Sequence, residues 1–129
     1  MTFGWVLLLL TGFEIKHFIA DYLLQTGWMI AGKGRLDAPG GYAHAGVHAV
    51  ASAVVLAIAR VPLPALLGIV VAEFVVHYAF DFAKVYYGQG VDPETRAKRF
   101  WALHGLDQLF HQLTYIGMTW LALVAMGAM

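Results

Sequence analysis

Four long apolar runs set the pattern of this chain, and each carries polar residues in one half only. The runs cover about 3–25, 42–59, 63–86 and 100–126. A helix needs roughly 20 residues to cross a hydrocarbon core of about 30 Å, so each run is long enough to span a membrane. The stretches 26–41 and 87–99 collect glycine, proline and charged residues and read as loops. Between the second and third runs, Arg60-Val61-Pro62-Leu63-Pro64 leaves room only for a tight turn between antiparallel neighbours. The apolar start of the first run is also a feature of signal peptides. No basic residue precedes it, however, and polar residues stand where a small-residue cleavage site belongs, so it reads as a retained span.

The polar positions carry the rest of the reading. Glu14, His17, Asp21 and Gln25 follow one another at intervals of three, four and four residues, which stacks them on one helix face. A charged group inside hydrocarbon costs at least about 2.5–3.5 kcal/mol, so this stripe needs partners on other spans. Lys33, Arg35, Lys84, Arg96, Lys98 and Arg99 flank one side of the spans and Arg60 alone flanks the other. By the positive-inside rule, the two longer loops are cytoplasmic and both termini lie outside. With that topology all six histidines fall in the cytoplasmic half. They are joined there by Asp21, Asp81, Asp107, Gln25 and Gln108.

The spacing also repeats. An offset of 60 takes His17 to His77, Asp21 to Asp81, His44 to His104 and His48 to Gln108. This predicts a duplicated two-helix hairpin with a pseudo-two-fold axis along the membrane normal. The fold class expected is therefore all-α: a single-domain integral membrane four-helix bundle.

Composition supports this picture and narrows it. The 129 residues are 60% hydrophobic and 12% charged, with a mean hydropathy of +0.69, as in multi-pass membrane proteins. Zero net charge and the lack of a basic patch argue against nucleic acid as a partner. The absence of cysteine removes disulfides, thiolate metal sites and a cysteine nucleophile. Trp28, Tyr42, Tyr86, Tyr87 and Trp101 fall at the expected interface and read as an aromatic belt.

His and carboxylate at helical spacing on facing spans is how bundles build N/O metal sites. His17, Asp21, His77 and Asp81 form the first candidate ligand set, extended by His48, Asp107 and His111. His44, His104, Gln25 and Gln108 are secondary candidates. Imidazole and carboxylate ligands suit zinc first, with iron or manganese as alternatives. A metal with an open position would ionise a bound water and support hydrolysis of an ester or phosphoester in a lipid-like substrate. Glu14 and Glu73 are the candidate general bases, and Lys84 a candidate phosphate or headgroup contact. Three other readings stay open. In the first the polar layer is structural, gluing the helices of a non-catalytic subunit or scaffold. In the second two histidines from different spans hold haem. In the third the buried carboxylates carry ions or protons, although the outer half of every span is apolar. Oligomeric state is left open.

The string His17-Phe-Ile-Ala-Asp21-Tyr-Leu-Leu-Gln25, followed by Trp28-Met29 and Lys33, resembles the opening of the bacterial domain-of-unknown-function 3307 family. His77-Tyr-Ala-Phe-Asp81-Phe-Ala-Lys84 and Asp107-Gln108-Leu-Phe-His111 are similar to that family's other two blocks. The resemblance covers nearly the whole chain. It implies a small multi-span protein of the bacterial inner membrane and brings no activity. A remoter likeness is to membrane-bound metal-dependent hydrolases, which also carry His and Asp on their spans.

Overall fold

The computed structural model describes residues 2–129, and its regular elements are all helical. Helix α1 (Thr2–Phe18) runs into a π-helical turn (Ile19–Leu23). A short α2 (Gly27–Gly32), α3 (Pro39–Ile58), α4 (Leu63–Gly88) and α5 (Ala97–Ala125) follow. Each long helix packs on two others: α1 and α4 each contact both α3 and α5. Thr2–Leu23, Pro39–Ile58 and Leu63–Gly88 are long and apolar enough to cross a membrane. Helix α5 is longer than any of them, but its first half carries Lys98, Arg99, His104, Asp107, Gln108 and His111, and it does not reach that composition.

The outside of this assembly is as apolar as its core. Leu7 and Ile15 on α1, Val50 and Val54 on α3, Val71 and Val75 on α4, and Leu113 and Ile116 on α5 are all exposed. The buried apolar core occupies one half of the helices: Leu9, Phe13, Leu56, Ile69, Met118 and Leu123 meet there. In the other half the interior is polar. Exposed large apolar groups around a partly polar interior are the arrangement expected of helices that face lipid.

Two local features depart from the sequence reading. The stretch 26–41 is not simply a loop, because it contains α2. Thr26 caps that helix by accepting the Met29 N–H at 3.3 Å. Proline in the first turn of α3 then starts the next helix. Glycine permits the close crossing of α2 over the start of α3: a Cβ on Gly32 would come within 2.7 Å of the Gly41 nitrogen. The connection is tied to α4 as well. The Tyr78 and Tyr42 rings stack at 4.4 Å, and their hydroxyls donate to the Arg35 carbonyl (3.3 Å) and the Leu36 carbonyl (3.0 Å). The second departure is the π turn. The Leu24 N–H reaches back five residues to the Ile19 carbonyl at 2.9 Å, which widens the helix at Asp21.

Candidate metal centre

Two helices, α1 and α3, aim imidazoles at Asp21. The π turn carries Asp21 itself, and α3 supplies His44 and His48 one turn apart. His48 Nε2 lies 2.8 Å and His44 Nε2 3.1 Å from Asp21 Oδ1. His17 Nε2, one turn back on α1, is 3.2 Å from Asp21 Oδ2. A second carboxylate collects partners in the same way. Asp81 Oδ2 is 3.4 Å from His77 Nε2 and 3.6 Å from His44 Nε2, and Asp81 Oδ1 is 3.8 Å from His111 Nε2. His111 Nε2 also approaches Asp107 Oδ1 at 3.3 Å. The imidazoles stack closely, with His48 and His77 centroids 3.9 Å apart and His77 and His111 4.3 Å apart. All five of these histidines, with Asp81 and Asp107, are buried.

Two donor sets result. Asp21, His44, His48 and His77 can each turn one ligand atom into a common space 4.8 Å across, and so can His77, Asp81 and His111. Zinc–ligand bonds of about 2.0–2.1 Å place tetrahedral donors roughly 3.3 Å from one another. The observed separations of 2.8–3.8 Å fall on both sides of that value. His44 Nε2, His77 Nε2, Asp81 Oδ2 and Asp107 Oδ1 are buried and lack a hydrogen bond despite their proximity. Buried acceptors are rarely left in that condition.

Not every histidine is free to ligate. Gln108 Oε1 lies 2.9 Å from His17 Nε2 and can only accept, so the ring donates through Nε2, and its Nδ1 accepts from the Tyr115 hydroxyl at 2.8 Å. Lys16, itself buried, donates to His48 Nδ1 at 3.1 Å and forms an ion pair with Glu73. A chain of hydrogen bonds therefore runs from Glu73 through Lys16 and His48 to Asp21.

The structure assembles His17, Asp21, His44, His48, His77, Asp81, Asp107 and His111, with Gln108 beside them. Glu14 is exposed, and Glu73 faces Lys16. His104 sits apart with its Nδ1 3.5 Å from Lys84 Nζ, and Gln25 Nε2 donates to the Asp21 backbone carbonyl at 3.1 Å. Sequence reasoning left Lys33 out of the site, yet its ammonium is 3.1 Å from Asp81 Oδ2. Lys16 is likewise part of the layer, buried over the Tyr115 ring at 4.5 Å and paired with Glu73. The signal available for Lys16 was its burial in an apolar run with an acid on another span. Lys33 had none, because its reach depends on α2. Outside the helices, Arg35 pairs with Asp37 at 3.0 Å and holds that carboxyl below its usual range; both are exposed, and such a pair adds little stability.

A helical protein with a buried layer of histidines and aspartates, arranged so that it can hold a metal, is the class that fold and site define. The model of the family described as "Protein of unknown function (DUF3307)" matches residues 7–128, and the chain belongs to that family. Comparisons with curated proteins and with solved structures give no match.

Proposed function

We propose that this is a metal-binding protein of the bacterial inner membrane, in which α1, α3, α4 and α5 form a four-helix bundle around a His/Asp centre. The observation that carries the reading is the convergence of ligand atoms in two sets, Asp21, His44, His48 and His77, and His77, Asp81 and His111, in which the buried His44 Nε2 and His77 Nε2 have no hydrogen bond. A divalent cation is the partner that satisfies imidazole and carboxylate acceptors together. Zinc is the first choice, held by Asp21, His44, His48 and His77, with a second position at His77, Asp81 and His111. Helix α5 serves as the fourth span because Asp107, His111 and Thr119 turn inward while Leu109, Leu113, Ile116 and Trp120 stay outside. Cytoplasmic long loops, with both termini outside, place the centre in the inner leaflet. The His17–Asp21 pair at 3.2 Å and the His77–Asp81 pair at 3.4 Å support an origin by hairpin duplication.

The reaction we assign is hydrolysis of an ester or phosphoester in a lipid-like substrate. When bound, the metal would supply an ionised water and polarise the scissile group. Asp107 lines a cavity between α4 and α5, whereas Glu73 is held by Lys16, so Asp107 is the better placed of the two to accept a proton from a substrate in that cavity. The test is elemental analysis of detergent-purified protein beside the Asp21→Asn/Asp81→Asn double variant. Stoichiometric metal that disappears in a folded double variant is the expected result. Metal-free wild type after chelator-free purification overturns it.

One observation favours a second reading, in which the layer is a structural hydrogen-bond network. His17 and His48 have both ring nitrogens engaged, by Tyr115, Gln108, Lys16 and Asp21. That reading expects the same double variant to unfold more easily while wild type holds no metal.

A further inference from the structure

Lys33 and Lys84 stand at the mouth of the histidine layer, and each touches one of its carboxylates. Lys33 Nζ is 3.1 Å from Asp81 Oδ2, and Lys84 Nζ is 2.8 Å from Asp107 Oδ2. Both also line a cavity of about 430 Å³, whose wall includes Gln25 and His104 and whose remaining surface is mostly apolar. A second cavity of about 180 Å³ begins at Lys84 and Asp107. It continues as an apolar groove between α4 and α5, over Phe80, Ala83, Leu106 and Phe110. Lys84 and Leu103 belong to both cavities, so cationic mouth and apolar groove are continuous.

We infer that this mouth binds the phosphate of an amphiphile, with Lys33 and Lys84 on the phosphate oxygens and an acyl chain in the α4–α5 groove. The catalytic meaning of the site rests on the metal-hydrolase reading, which it deepens by naming an anionic lipid as the substrate class. Charge at the layer supports the assignment. Asp21, Asp81 and Asp107 face two ammonium groups, leaving one net negative charge. One divalent cation at the His77–Asp81–His111 set reverses it to one net positive charge. Lys33, its partner Asp81 then taken by the metal, is free for an external anion, and Lys84 can share its three N–H donors between Asp107 and the same anion. In that low-dielectric position an ammonium–phosphate hydrogen bond is strong and directional. The apolar groove gives the lipid an advantage over free phosphate, since each buried CH₂ contributes to binding.

Native mass spectrometry of the full chain in detergent tests this, because it reads lipid and metal adducts in one spectrum. The probes are dihexanoyl phosphatidic acid, dihexanoylglycerol and inorganic phosphate, each with and without zinc. Expected is a phosphatidic acid adduct, strengthened by zinc and weakened about tenfold or more in Lys33→Gln/Lys84→Gln. Lys33→Arg/Lys84→Arg should retain it, and Ala83→Phe should weaken it by filling the groove. Binding of dihexanoylglycerol equal to that of phosphatidic acid, or indifference to both lysine charges, overturns the proposal. Inorganic phosphate binding as tightly as phosphatidic acid and ignoring Ala83→Phe identifies a free-phosphate site and overturns the lipid. A lysine-dependent lipid adduct on protein that takes up no zinc sinks the metal reading and leaves this site standing. Zinc uptake without any lysine-dependent adduct does the reverse.

Discussion

The same four helices have a dry half and a polar half, and the two are built on different terms. In the dry half Leu9, Phe13, Leu56 and Ala122 are wholly buried against one another, and close packing accounts for them. In the polar half, five histidines and three aspartates occupy the corresponding positions, and several of their atoms lack partners. Tyr115 joins the halves: its ring stacks on Phe13 at 5.6 Å while its hydroxyl bonds His17. Lys16 and Glu73 sit at the same boundary as a buried ion pair. The dry half explains why the protein folds. Fold stability does not explain the polar half, since an apolar layer would pack at least as well.

The largest effect should come from the boundary. Glu73→Leu alone leaves the Lys16 ammonium buried without its carboxylate, and about 3–5 kcal/mol of stability should be lost. Lys16→Met/Glu73→Leu should recover most of that, because a hydrophobic pair extends the dry half by one layer. Equilibrium unfolding in mixed micelles reads both variants. Loss in the double variant as severe as in the single one would show that Lys16 is needed for its bond to His48 rather than for charge balance.

The next contrast takes one variant from each half. Leu56→Ala opens a cavity at a fully buried site and should cost about 2–5 kcal/mol while metal content stays at the wild-type level. Asp21→Asn/Asp81→Asn should abolish metal binding with far less effect on unfolding. If the two variants change places in these assays, the polar half is scaffold.

Much of this contrast was legible from periodicity. The i, i+4 pairs His17–Asp21 and His77–Asp81 occur as close imidazole–carboxylate contacts because helical spacing dictates them. Gathering the histidines in one half required only alternating span directions. What could not be read is whatever depends on departures from a regular helix. The π turn at Ile19–Leu23 re-aims Asp21 toward α3 and so brings in His44, a residue that spacing alone ranked second. Helix α2 lies in a stretch rich in glycine, whose backbone freedom signals a loop. Here the glycines serve close approach between α2 and α3, and that approach carries Lys33 to Asp81.

Gly32→Ala examines that lid over the polar half. Its Cβ would meet the Gly41 nitrogen at 2.7 Å, so α2 must shift, at a cost of about 1–3 kcal/mol. The dry half should not respond. Hydrogen exchange should rise in 27–41 and stay unchanged around Leu9 and Leu56. Uniform loss of protection would mean that the lid and the dry core unfold as one unit.

The smallest effect isolates what an unpartnered polar atom means in each half. Thr119 is buried among the apolar groups, and its Oγ1 has no hydrogen bond. Valine has nearly the same shape without the hydroxyl, so Thr119→Val should leave stability unchanged or raise it by about 1 kcal/mol. Gln108→Leu in the polar half removes the acceptor 2.9 Å from His17 and leaves the imidazole N–H only Asp21 Oδ2 at 3.2 Å, which should cost about 1 kcal/mol. Opposite signs from two changes of similar size, both read by thermal unfolding in the same detergent, would show that only one half depends on its polar groups. Equal losses would mean that Thr119 serves a partner in the membrane, and the division between the halves would lie further toward the termini than the buried apolar cluster places it.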